Sequence, residues 1–183
     1  MVPANGLKAF WLCWLTRPKS DRALYRLIRQ RKPRKIMVLG LGTSNRVLRI
    51  ISLAQRYQPA DQISFAGIDR FDSRPVDVPH FSLKEAHKLL RPTGSRINLI
   101  PGDPREALVR AANALHSFEL VMISADQDAE SLSQSWFYLN RLLAADAIVL
   151  REEMSDDKTV LKSLARREIE QLATSAAPRR RAA

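Results

Sequence analysis

Lys35-Ile-Met-Val-Leu-Gly40-Leu-Gly42-Thr-Ser-Asn45-Arg-Val-Leu-Arg-Ile-Ile51 is the stretch whose reading decides the fold. An apolar run, Ile36 to Leu39, meets two glycines separated by one residue. A polar triplet, Thr43 to Asn45, follows. Then Val47, Leu48, Ile50, Ile51 and Ala54 fall on one helical face, with Arg46, Arg49 and Arg56 on the other. This is the pattern of a buried strand, a tight glycine turn and a helix start. Such a turn brings bare backbone N–H groups and the positive end of a helix up to a ligand, so a nucleotide-type cofactor pocket is expected there.

The chain on either side repeats the alternation. Upstream, Ser20 reads as the N-cap of a helix over 21–30, which Pro33 ends. Downstream, the helix that opens near Ser44 runs to about Tyr57. A second strand, Ile63 to Asp69, ends on an acid. Ser82-Leu-Lys-Glu85 is a capping box that opens a helix ending near Pro92. A third strand spans Arg96 to Gly102. Asp103-Pro104-Arg105-Glu106 then places Asp at N-cap, Pro at N1 and Glu at N3 of a helix that runs to about Leu115. A fourth strand is Phe118 to Ser124. Leu132, Trp136, Leu139 and Leu143 form one helical stripe, and a fifth strand is Ala147 to Arg151. A last helix is expected from about Asp156, burying Leu161, Leu164 and Leu172.

Strands alternating with helices predict an α/β fold with a doubly wound, mostly parallel, Rossmann-like sheet of five strands in the order 3-2-1-4-5. The ligand crevice is expected at the carboxyl edge near strands one and four. The predicted organisation is a basic N-terminal helical arm over 1–34, a Rossmann-like domain over 35–176 and a disordered basic tail over 177–183.

From Lys35 to about Glu153 the chain resembles a class I S-adenosylmethionine-dependent methyltransferase, and most nearly the small-molecule O-methyltransferase-like branches. Gly40-Leu41-Gly42, with Thr43 and Ser44 after it, stands where that family's glycine loop approaches the methionine part of the cofactor. Asp69, ending Phe65-Ala-Gly-Ile-Asp69 and followed by Arg70, stands where an acid takes the two ribose hydroxyls. Gly102-Asp103-Pro104 stands where an acid after strand three meets the adenine amino group. Phe118-Glu-Leu-Val-Met-Ile-Ser124-Ala-Asp126 resembles the stretch that floors the reaction cavity. The resemblance therefore implies S-adenosyl-L-methionine as cofactor, an unidentified methyl acceptor, and Asp126 as the candidate catalytic residue.

There are departures from the family pattern. The acid that usually stands two residues before the loop glycine is Gly40 when the loop is aligned on Gly42, and Ser44 stands where another glycine is common. Ser124 replaces a carboxylate that is a metal ligand in the metal-dependent O-methyltransferases, so no metal is expected. The family's usual sixth and seventh strands are not evident. An NAD(P) fingerprint would require a third glycine where Asn45 stands. Gly42 and Asp69 are also 27 residues apart, against the approximately 20 of that fingerprint.

The 183 residues suffice for one domain with a proper core. One cysteine, Cys13, excludes an internal disulfide and fits a reducing, cytoplasmic setting. The net charge of +11 is unevenly placed: +9 over residues 1–35, −2 over 36–160 and +4 over 161–183. Such basic ends suit nucleic acid or another anionic surface, or serve solubility alone. Ala9 to Leu15 is too short for a membrane span and lacks the flanks of a signal peptide. Its Phe10, Trp11 and Trp14 suit docking on the domain's own core, an interfacial membrane contact, or an oligomer contact such as a homodimer. The alternative to an enzyme is a non-catalytic Rossmann-like module that binds an anionic partner through its basic ends.

Overall fold

A run such as Ile36 to Leu39, apolar at every position, belongs to a strand covered on both faces. In the computed structural model, which describes residues 3–17, 19–42, 45–75, 81–155 and 158–177, that run forms β1 (Lys35–Leu39). The other strands are β2 (Ser64–Asp69), β3 (Arg96–Pro101), β4 (Phe118–Ile123), β5 (Leu143–Ser155) and β6 (Lys158–Leu164). Their order in the sheet is β3-β2-β1-β4-β5-β6. Every pairing from β3 to β5 is parallel, and β6 runs antiparallel to β5.

Seven helices cover the sheet among the described residues: α1 (Gly6–Trp14), α2 (Lys19–Arg31), α3 (Asn45–Ala54), α4 (Leu83–Leu90), α5 (Pro104–Ala111), α6 (Ala129–Leu142) and α7 (Arg166–Ser175). Side chains alternate across each strand. Ile36, Val38, Phe65, Leu120 and Met122 therefore meet Leu12, Leu24, Ile28, Val47 and Ile51 of the first three helices. Met37, Leu39, Ile68, Val121 and Ile123 meet Leu108, Trp136, Leu139 and Ile169 on the other face. The first two helices thus share one buried cluster with the sheet, and Ala4 N–H donates to Ser52 O of α3 at 3.0 Å. No described helix is long and apolar enough to cross a membrane.

The caps read from sequence are present. Ser82 and Glu85 form the reciprocal capping box of α4, and Asp103 accepts from Glu106 N–H at the start of α5. Ser20, expected as a cap, instead lies inside α2 and is buried. The larger correction follows β5. Lys158 to Leu164 is a strand, not the beginning of a helix, and it adds a sixth member to the expected order. Leu161 and Leu164 are three apart, which a helix would place on one face. In a strand the same spacing sends them to opposite faces: Leu161 packs on the cluster beneath α1–α3 and Leu164 on the cluster beneath α5–α7. β5 is correspondingly longer than the expected 147–151, because its outer half pairs with β6 from Val149↔Leu164 to Ser155↔Lys158.

Candidate functional site

The chain leaves β1 towards β2 and β3 on one side and later returns to β4 on the other, so a crevice opens at the carboxyl end of β1. Asp69, the last residue of β2, borders it. Each oxygen of its buried carboxylate has two acceptor positions. Oδ1 accepts from Phe71 N–H at 3.0 Å and Arg74 Nε at 2.6 Å. Oδ2 accepts from Leu41 N–H at 2.7 Å and Arg74 Nη2 at 2.8 Å. All four positions are therefore filled. Burial alone would raise the Asp69 pKa. The Arg74 hydrogen bonds, with those of Phe71 and Leu41, outweigh it and hold the carboxyl below the ordinary aspartate value.

Arg74 reaches further. Its Nη1 lies 2.7 Å from Oδ2 of Asp126, beyond the end of β4. β1 lies between β2 and β4, so this side chain spans the tip of β1 from one flank to the other. Burial works against its charge, but the hydrogen bonds it donates to Asp69 and Asp126 prevail and raise its pKa further.

Beneath that bridge lies the glycine turn. Gly40 has φ +83° and Gly42 has φ +54°, the left-handed region that glycine enters without a side-chain penalty. The two glycines differ in their surroundings. A Cβ on Gly40 would stand 2.5 Å from Gln127 Nε2, 2.7 Å from Asp126 Oδ1 and 2.8 Å from Ser124 Cβ. A Cβ on Gly42 would meet nothing within 4 Å among the described residues beyond its chain neighbours. Gly40 thus lets the loop after β4 close on β1, whereas Gly42 faces open space. Ser124 takes part in that closure, with its Oγ donating to Gly40 O at 2.8 Å. Leu41 is buried. Thr43 and Ser44, as well as the tail from residue 178, lie outside the described residues.

The third expected contact is committed to structure. Asp103 Oδ1 accepts from Glu106 N–H at 3.0 Å and from Ser131 Oγ at 2.9 Å, tying α5 to α6. Burial raises the Asp103 pKa, but these bonds outweigh it, and its carboxyl lies below the ordinary value. Gly102 has φ +130°, and its N–H donates to Asp69 O at 2.9 Å, so the ends of β2 and β3 stay in register. Pro104 is buried at the first position of α5.

Arg70, Arg74, Pro75, Pro104, Asp126, Gln127 and Asp128 line a crevice of about 180 Å³. That is below the roughly 300–1,000 Å³ of a small-molecule pocket. A larger hollow, about 520 Å³, runs along the outer edge of β3 beside His87, Ile97 and Leu99. It lacks Arg74, which is bonded to Asp69, and Asp126, and both line the smaller crevice, so the chemistry-bearing groups assign the site there. The donor set fits S-adenosylmethionine in one arrangement: Arg74 must withdraw, because ribose hydroxyls need the acceptor positions that it fills. Among the described residues, nothing at Gly42 stands against such a ligand.

Two residues escaped the sequence reading. Arg74 stands five residues beyond the strand-ending acid, in a proline-bearing loop without periodicity. The signal that could have found it is the run Asp69-Arg-Phe-Asp-Ser-Arg74, where a short turn folds the arginine back on the acid. Arg46, expected on the outer face of its helix, is instead half-buried, 2.6 Å from Glu152 Oε1 on β5 and 2.9 Å from Asp21 Oδ1 on α2.

No protein-family model and no curated protein matches the sequence. Solved structures do match in fold. One is the O-methyltransferase TomG from Streptomyces achromogenes, involved in tomaymycin synthesis and solved with S-adenosylmethionine (TM-score 0.56, 15% identity, 96% of this chain and 78% of that one). Another is a putative protein-L-isoaspartate O-methyltransferase from Plasmodium falciparum, solved with S-adenosyl-L-homocysteine (TM-score 0.51, 20% identity, 79% and 63%). A third, an O-methyltransferase family protein from Burkholderia thailandensis, aligns over 74% of this chain at 15% identity and TM-score 0.46. The chain spans 63% of the Plasmodium protein's length and 40% of the Burkholderia protein's. The sheet order and the first two of these neighbours agree: the chain has the Rossmann-like α/β fold that those methyltransferases share.

Proposed function

We propose that this protein is an S-adenosylmethionine-dependent methyltransferase, or a cofactor-binding relative of one, acting on an unidentified acceptor. One observation carries the reading: a left-handed glycine with open space around it, Gly42, beside a carboxylate at the tip of the adjoining strand, Asp69. S-adenosylmethionine, when bound, supplies a methyl group on a positively charged sulfur. The chain's own residues do the rest. Gly40, Leu41 and Gly42 form the turn beside the methionine part, and the reading assigns Thr43 and Ser44 to the same part of the cofactor. Asp69 receives the ribose hydroxyls once Arg74 withdraws, and Arg70 lies next to it. Gly102, Asp103 and Pro104 border the adenine, and Ser124 holds the floor against Gly40. Asp126, freed by the same movement of Arg74, is the carboxylate placed to take a proton from the acceptor. Methyl transfer depends mainly on in-line positioning, so such a base helps without being required.

The supporting test is calorimetric titration with S-adenosylmethionine and S-adenosylhomocysteine. Asp69→Ala should weaken binding about ten- to a hundredfold, the loss expected for charge-assisted hydrogen bonds. Gly42→Val should abolish it by filling the open space. Absence of heat at about 1 mM ligand, for both the native chain and Arg74→Ala, overturns the reading.

A second reading rests on the filled acceptor positions of Asp69. With Arg74 permanently in place the fold is a non-catalytic module, and its basic ends engage nucleic acid or another anionic partner. The same Arg74→Ala titration separates the two readings. Our reading places the protein in the cytoplasm. A homodimer is the oligomer that it allows.

A further inference from the structure

α1 is apolar on two faces. Ala9, Leu12 and Cys13 are buried against the core. Leu7, Phe10, Trp11, Trp14 and Leu15, at i, i+3, i+4, i+7 and i+8, form the opposite stripe, and they are 83%, 56%, 45%, 47% and 57% exposed. A helix on a soluble surface ordinarily turns charged residues outward. Here Lys8 is the one charge in Gly6–Trp14. A contiguous apolar stripe of this kind marks an interaction site.

The rim of the stripe says what it meets. The Arg26 guanidinium lies 5.4 Å from the centroid of the Trp14 ring and that of Arg49 lies 5.7 Å from the centroid of Trp11. Phe10 and Trp14 rings are 6.5 Å apart. Residues 1–35 contain one acid, Asp21, and it is buried against Arg46. Indole, phenyl and leucine side chains bordered by cations match the boundary between acyl chains and anionic headgroups. A second copy docked face to face would oppose arginine to arginine. Single-stranded nucleic acid stacks on aromatic platforms, and Leu7 and Leu15 offer no such platform.

We propose that the outer face of α1 seats the protein on an anionic lipid surface, with Arg26 and Arg49 at headgroup level and Leu7, Phe10, Trp11, Trp14 and Leu15 inserted below. This stands whether or not the crevice holds a cofactor.

The full chain should sediment with phosphatidylcholine vesicles containing about 30% phosphatidylglycerol, at about 100 mM salt, and not with phosphatidylcholine alone. Tryptophan emission should shift to the blue as Trp11 and Trp14 leave water, since Trp136 is already buried. Leu7→Glu together with Phe10→Glu should reduce partitioning about tenfold or more, because each removes a large apolar side chain from the contact. Arg26→Gln should reduce it about fivefold. Both sites are exposed, so the thermal midpoint should not move. The proposal is overturned by absence of vesicle binding. It is equally overturned by binding that survives Leu7→Glu/Phe10→Glu, by a dimer in sedimentation velocity that this double substitution dissolves, or by affinity of the same face for single-stranded RNA without affinity for vesicles.

Discussion

Two arginines flank the glycine turn, and each is held between two carboxylates. Arg46 joins Asp21 of α2 to Glu152 of β5, and Arg74 joins Asp69 of β2 to Asp126 beyond β4. The charges are alike but the acids behave oppositely. Burial pushes the Asp21 carboxyl up; Arg46 opposes this but Glu152 adds to it, and the net shift is upward. The Asp69 carboxyl is held down. The difference is in alignment. Arg46 Nη2 and Asp21 Oδ1 approach to 2.9 Å without completing a hydrogen bond. Asp69 takes two backbone N–H groups and two guanidinium N–H groups at 2.6–3.0 Å. A buried acid is thus held ionised by aimed donors more than by the nearness of a positive charge. The first arginine ties the N-terminal helices to the sheet, whereas the second covers the crevice.

The most direct way to break this comparison is Asp69→Ala. It strips Arg74 and two backbone donors of their acceptor in a buried setting, and urea denaturation should register a loss of about 3–5 kcal/mol. A loss below about 1 kcal/mol would show that the crevice bridge is no better anchored than its counterpart.

Arg74→Ala gives the next largest effect, and it has a ligand readout. Binding measured against a closed population is weakened by the fraction that is open. Removing the bridge should tighten S-adenosylmethionine about tenfold, near 1.4 kcal/mol, by calorimetry. Unchanged affinity would mean that Arg74 does not compete for Asp69.

Asp21→Asn sharpens the other side. Its carboxyl is already disfavoured by burial, and Arg46 keeps Glu152 at 2.6 Å. The change in unfolding free energy should be about 1 kcal/mol or less, and its sign can be positive.

The smallest effect is a slope against pH. Asp69, lowered, contributes stability that is present above its unfolded value of 3.8 and lost as pH falls through its folded value. Asp21, raised, costs stability above its folded value, and that cost is lifted as pH falls towards 3.8. Relative to Asp21→Asn, the native chain should therefore gain stability on mild acidification. Equal slopes for the two would contradict the opposite shifts.

How much of this was legible follows from how local each signal is. The strand–turn–helix at Gly40 and Gly42 depends on neighbouring residues, and the caps at Ser82 and Asp103 on residues three apart. Those elements were readable, as was Asp69 at a strand end. β6 was not, because Leu161 and Leu164 satisfy both a helical face and the two faces of a strand. Only the partner, β5, decides between them. Arg46 was unreadable for a related reason, since its partner Glu152 is brought close only by the sheet. Arg74 had a local signal in its spacing from Asp69, but its second partner, Asp126, lies 52 residues away and no one-dimensional pattern pairs them.

The hairpin of β5 and β6 has a consequence for how the sheet assembles. Ser155 pairs with Lys158, so this joint closes over two intervening residues. β1 meets β4 through Ile36 and Leu120, with α3, α4, α5 and the whole of β2 and β3 threaded between them. Closing a short loop takes far less chain entropy than closing a long one, and hairpins form within about 1–10 μs. The outer border is therefore the quick joint, and the junction beneath the crevice is the slow one. The glycine turn at the crevice is completed only when strands far apart in the chain have met.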